Sequence, residues 1–158
     1  MNRNKHSSLL IATLILLTAP LGCVEEEPVI VPDVPICIGI DLTLASYRDL
    51  RGIGNAYKYP NQGYNSNGVI IFRRTEEEFY AWDATCPQHM DKIQAVGFND
   101  GFAGGSVACP HCKTVYLLHN FARPDSGFPL KSYRVAYGDD YIKVYHLNGV
   151  NCNEYDYP

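Results

Sequence analysis

From residue 36 onward, apolar and polar positions alternate with a period of two, the spacing of extended strands and not of helices. Ile36-Cys37-Ile38-Gly39-Ile40-Asp41-Leu42 alternates throughout, and Val69-Ile70-Ile71-Phe72-Arg73 and Phe79-Tyr80-Ala81-Trp82-Asp83 read as a strand pair. Ser106-Val107-Ala108, Thr114-Val115-Tyr116-Leu117, Tyr133-Arg134-Val135-Ala136-Tyr137 and Tyr141-Ile142-Lys143-Val144-Tyr145 continue the pattern. Turn-forming residues punctuate it at Asn67-Gly68, Asn99-Asp100-Gly101, Gly104-Gly105, Asp125-Ser126-Gly127 and Gly138-Asp139-Asp140. Short strands at regular turn spacing predict an all-β fold, a small antiparallel sandwich or barrel. Only residues 44–51 and 75–78 tolerate a helical turn, and no internal repeat is visible.

The front of the chain has a different pattern. Arg3, Lys5 and His6 precede an apolar run from Leu9 to Leu17, and Ala19-Pro20-Leu21-Gly22-Cys23 closes it. A basic start, a short apolar run and small residues at the exit describe an export signal over residues 1–22. The run is too short for a convincing membrane-spanning helix. Cys23 after Gly22 resembles the lipobox of bacterial lipoproteins, in which the cysteine is lipidated and becomes the N-terminus. Pro20 stands where that pattern has an aliphatic residue, and an ordinary secretory signal is the alternative. Residues 23–35 hold Glu25 to Glu27 and then Pro28, Pro32 and Pro35, a composition that denies helix and favours an extended linker. The globular domain is expected over residues 36–158, long enough for one core.

The formal charge is −4, and removal of the signal with Arg3 and Lys5 takes it to −6. With no basic stripe anywhere, nucleic acid is not an expected partner. Twelve Tyr, thirteen Gly and ten Pro suit strands and turns. Six Cys in so short a chain point instead to metal, disulfide or redox chemistry.

Two loops concentrate that chemistry. Cys86-Pro87-Gln88-His89 follows the strand ending at Asp83, and Cys109-Pro110-His111-Cys112 follows Ser106-Val107-Ala108. The pattern is C-x2-H, residues 90–108, then C-x2-C. Two residues between ligands let a tight turn aim both side chains at one metal, and Pro after each Cys stiffens that turn.

At these residues the sequence resembles the Rieske-type ferredoxin domain, over roughly residues 69–145. The resemblance includes the strands with Ala81-Trp82-Asp83, both loops, and the tail Gly127-Phe128-Pro129-Leu130-Lys131-Ser132-Tyr133-Arg134-Val135. It implies a small antiparallel β fold holding a [2Fe–2S] cluster in two hairpin loops. The family's ligand pattern is C-x-H and then C-x2-H. Here the first loop has one extra residue, and Cys112 stands where the second His belongs. Cys86, His89 and Cys109 match by type and Cys112 by position, while His111 is the alternative fourth ligand. Iron–sulfur binding would place Cys86 and Cys109 on the inner iron, with His89 and Cys112 on the outer one. Zn2+ in a closed Cys3His site and a metal-free site remain open, because iron and zinc accept the same ligands.

Removing Cys23 and the three thiol ligands leaves Cys37 and Cys152, near the two ends of the domain, which are expected to pair in an oxidising compartment. The alternative leaves Cys37 as a small buried hydrophobe and Cys152 unpaired in the polar tail. A competing reading takes Cys109 and Cys112 as a thiol–disulfide oxidoreductase pair. That chemistry needs a helix starting at the second Cys, where Lys113 to Leu117 reads as strand. Trp82 and Phe79 read as core. His119 and His146 read as ordinary strand-side histidines, Glu76 to Glu78 as a solvated turn and Asp139-Asp140 as a hairpin tip. The expected protein is an exported, lipid-anchored electron carrier serving a redox partner at the cell envelope, and not a stand-alone catalyst. The alternative is a zinc-bound or metal-free binding module.

Overall fold

A computed structural model describes residues 31–91, 95–99 and 104–146 of the 158-residue chain. The strands are β1 (Ile36–Asp41), β2 (Ala56–Tyr59), β3 (Val69–Arg73), β4 (Phe79–Asp83), β5 (Gly97–Phe98), β6 (Ser106–Ala108), β7 (Val115–Leu117), β8 (Ser132–Gly138) and β9 (Tyr141–His146). They form an antiparallel sheet in the order β1-β9-β8-β4-β3-β2 and a second one in the order β5-β6-β7. The protein is all-β, as the period-two pattern predicts. Short 3-10 turns cover Ala45–Arg51, Tyr64–Ser66 and Leu118–Asn120.

The centre of the fold is the β3–β4 pair, in register from Val69↔Asp83 to Arg73↔Phe79. Alternation sends its side chains into two separate cores. Val69, Ile71, Phe79 and Ala81 face Ile36, Ile38, Ile40, Leu50, Ile142 and Val144, inside the curl of the large sheet. Ile70, Phe72 and Trp82 face the other way, towards Val96, Val107, Tyr116, Leu118 and Leu130 under the small sheet. A strand covered on both faces reads as a continuous apolar run, which is why residues 69–72 do not alternate. Burying each of these large aliphatic side chains stabilises the fold by about 1.5–3 kcal/mol.

The structure corrects the sequence reading in two places. Residues 75–78 are not helical. They belong to the turn closing the β3–β4 hairpin, where Arg74 N–H donates to Glu78 O at 2.8 Å and the Thr75 hydroxyl accepts from Glu78 N–H at 3.0 Å. Strands β2 and β5 were not anticipated, β2 because only Ala56 is buried in it and β5 because it has two residues. His119 lies in the 3-10 turn that directly follows β7, beside a strand as expected.

The end of the Pro-rich segment packs on the domain. Val31 is buried, Val34 lies against the large-sheet core, and Lys131 Nζ donates to Val31 O at 3.0 Å. Cys37, on β1, is disulfide-bonded. Cys152, its expected partner, and Cys23 with the signal both lie outside the described residues.

Candidate metal centre

The first loop leaves β4 at Asp83, a fully buried carboxylate with three donors. It accepts from Tyr64 N–H at 2.6 Å, Thr85 N–H at 2.7 Å and the Tyr133 hydroxyl at 2.5 Å. Burial beside that carboxylate pushes the Tyr133 hydroxyl pKa well up, so it stays a donor. The Thr85 hydroxyl donates to Tyr64 O and accepts from Asn67 Nδ2 at 2.9 Å. These bonds fix the entry of the loop before Cys86 begins. His89 N–H then donates to Cys86 O at 3.0 Å, closing the C-x2-H turn. The loop's far end is held by Val96 N–H to Ala84 O at 2.8 Å and by Lys58 of β2, whose Nζ donates to Val96 O at 3.0 Å.

The second loop joins β6 to β7. Cys109 N–H donates to Thr114 O, and Lys113 N–H donates back to Cys109 O, both at 3.0 Å. Lys113 has a left-handed backbone, φ 62°, and its Nζ donates to Pro110 O at 2.7 Å. A strand, and not a helix, follows Cys112, so the setting that activates a thiol–disulfide oxidoreductase pair is missing here.

The two loops bring Cys86, His89, Cys109 and Cys112 together, with one donor atom from each within 4.8 Å of all the others. Cys86 Sγ lies 3.8 Å from Cys112 Sγ and 3.9 Å from His89 Nδ1, and Cys109 Sγ lies 3.8 Å from His89 Nδ1. Cys86 and Cys109 are buried and Cys112 half-buried, and all three are free thiols. His111 stands outside this group, exposed, with its ring centroid 5.6 Å from that of His89.

Three further side chains surround the sulfurs. The Tyr116 hydroxyl is 3.2 Å from Cys86 Sγ. The Thr114 hydroxyl is 3.1 Å from Cys112 Sγ and 3.0 Å from Gln88 Oε1, which itself lies 3.3 Å from Cys112 Sγ. Burial pushes the Cys86 thiol up to about 11, against the hydrogen bonds of Tyr116 and of the Gln88 backbone. At Cys112 the cost of burial is outweighed by hydrogen bonds from the Thr114 hydroxyl and N–H and from the neighbouring thiols, which bring it down to about 6. The sequence reading did not single out these three residues. Thr114 and Tyr116 are two apart in the segment leading into β7, so they share a face. That spacing was the available signal.

Three thiols and an imidazole suit iron and zinc alike. A [2Fe–2S] cluster also needs its donors in two pairs, one pair on each iron, with the bridging sulfides between. The donors here are not divided that way, since Cys86 touches both expected outer ligands and Cys109 touches one of them.

No protein-family model matches the chain. No curated protein matches it either. The fold is similar to Rieske-type solved structures. One is the complex of reduced oxygenase and oxidized ferredoxin in carbazole 1,9a-dioxygenase: 18% identity, TM-score 0.40, covering 59% of this chain and 82% of that one. Another is assigned as the NADH-dependent nitrite reductase small subunit from Mycobacterium tuberculosis, with 16% identity, TM-score 0.43, and coverage of 73% and 98%. A third, the quaternary ammonium Rieske monooxygenase CntA with gamma-butyrobetaine, has 13% identity and TM-score 0.48; this chain spans 34% of its length.

Proposed function

We propose that this protein is an envelope-anchored metalloprotein that passes single electrons to a partner protein through a centre held by Cys86, His89, Cys109 and Cys112. The observation that carries the reading is the convergence of four soft donors from two loops within 4.8 Å. Bound iron supplies a one-electron couple at such a site. The chain's own part is to hold the donors and shield one side of them. Cys86 and Cys109 are buried in the core that holds Tyr116, while His89 and Cys112 are half-buried, with the exposed ring of His111 5.6 Å from that of His89. Electrons leave on that outer side, where a partner docks within reach of His89.

Anchoring through a lipidated Cys23 belongs to the same proposal. The disulfide at Cys37 supports an oxidising, exported setting. One acyl chain gives only marginal binding, about 10⁴ M⁻¹, so stable anchoring rests on the several chains that a lipidated N-terminal cysteine carries.

Anaerobic purification of the full chain from iron-replete cells tests the function. Bound iron with a reversible one-electron step, followed by EPR spectroscopy, is the expected result. Stoichiometric zinc with no iron under those conditions ends the carrier reading. Membrane partition that is lost in Cys23→Ala tests the anchor.

A further inference from the structure

We infer that Cys86, His89, Cys109 and Cys112 close on one four-coordinate metal ion that ties the two loops together, in place of a binuclear cluster. This rests on reading the group as a metal centre and specifies how many ions it takes. In a tetrahedral site, bonds of about 2.3 Å to sulfur and about 2.0–2.1 Å to imidazole nitrogen put two sulfurs about 3.8 Å apart. A sulfur and a nitrogen then lie about 3.6 Å apart. Cys86 Sγ to Cys112 Sγ is 3.8 Å, Cys86 Sγ to His89 Nδ1 is 3.9 Å, and Cys109 Sγ to His89 Nδ1 is 3.8 Å. No pair of donors exceeds 4.8 Å.

A binuclear centre makes the opposite demand. Its inner donors, Cys86 and Cys109, must be parted from its outer donors, His89 and Cys112, by the second metal and the bridging atoms. All three of the contacts just given run from an inner donor to an outer one. The surroundings agree. Tyr116 lies against Cys86, and Gln88 and Thr114 lie against Cys112, so both loops close around the four donors. The knuckle at Cys109 to Thr114 points its second thiol at the first loop, which leaves His111 exposed outside the set. Three thiolates and one imidazole around one divalent ion satisfy a closed site with no further ligand.

The test loads the full mature chain, stripped of metal under anaerobic conditions, with Zn2+, Fe2+ or Co2+ alone. The expected result is one ion per chain in each case, no acid-labile sulfide, and for Co2+ the intense visible bands of a tetrahedral thiolate site, displaced by one equivalent of Zn2+. Cys112→Ser is expected to weaken binding by more than about 100-fold, beyond the cost of an outer-shell change, and His111→Ala to leave it within a few-fold. If Cys112→Ser does not fold, the wild-type stoichiometry still decides. Two irons and two sulfides per chain after reconstitution with iron and sulfide overturn the inference and leave the carrier reading standing. One zinc per chain, with no Fe2+ taken up by the stripped protein, supports the inference and overturns the carrier. No binding of any ion overturns both.

Discussion

The hydroxyl of Tyr116 lies 3.2 Å from the sulfur of Cys86, and both residues are shut away from solvent. Burial beside the thiols holds the phenol in its protonated form, so against a metal-bound thiolate it donates. Outer-shell donors of this kind typically carry 10–100-fold in metal affinity. Tyr116→Phe keeps the ring in the core and removes only that bond. The expected outcome is metal affinity about tenfold lower or worse in chelator competition, with about 1 kcal/mol lost from the metal-free fold. Equal affinity in the two proteins would show that the hydroxyl only fills space.

Asp83 makes a second, larger prediction. Its carboxylate ends three hydrogen bonds, from Tyr64, Thr85 and Tyr133, the last two of them buried, and it precedes Cys86 by three residues. Asp83→Ala strands all three donors and is expected to cost about 3–5 kcal/mol, with metal affinity falling because the first loop loses its footing. Tyr133→Phe removes one bond to a charged group and leaves the loop's two backbone bonds intact. About 1.5–3 kcal/mol is expected there, with affinity held. Urea unfolding of the two variants gives the order. A larger loss in Tyr133→Phe would mean that the phenol, and not the loop entry, is what Asp83 serves.

The legibility of this fold in the sequence followed the number of faces each element buries. β1 and β9 alternate because one face is in the core, and residues 69–73 and 79–83 stand out because both faces are. β2 was not legible. It is an edge strand with one fully buried residue, yet Lys58 on it holds the end of the first ligand loop. The four donors were legible because Cys and His at x2 spacing have few other uses. Gln88 and Tyr64 were not, since a Gln in a loop and a Tyr before a turn carry no signal until the chain brings them to Cys112 and Asp83. Whether the donors form two pairs or one tetrahedron depends on distances across the two loops, which spacing along the chain does not encode.

Gly127 offers a separate check on the second loop's surroundings. Its φ is +95°, and a Cβ there would fall 2.0 Å from Gln88 Nε2. Gly127→Ala therefore costs about 1–2 kcal/mol from the backbone alone. It also pushes Gln88 off Thr114 and Cys112. The expected result is a modest fall in metal affinity that Gln88→Ala reproduces without the loss of stability. If Gln88→Ala binds metal as the wild type does, the amide has no part in holding the centre.

The acid limb of stability reports on the join between the Pro-rich segment and the domain. Asp33 sits against Lys131 Nζ and 2.8 Å from His146 Nε2, whose ring is tilted against that of Tyr133, centroids 5.5 Å apart. Hydrogen bonds from Lys131 and His146 hold its carboxyl below the usual carboxylate value. The unfolded chain releases that proton near pH 3.9, so the contribution is complete above that pH and is lost as pH falls through the lower folded value. Asp33 is half exposed, which limits the effect at neutral pH to about 1 kcal/mol or less. Asp33→Asn is expected to be less stable than the wild type at pH 7. The gap should close between about pH 5 and pH 2 and shrink in high salt, as denaturant midpoints across a pH series would measure. A gap that stays constant through the acid range would mean that the Asp33 charge has no part in holding residues 31–35, leaving Val31, Val34 and the Lys131 bond to Val31 O.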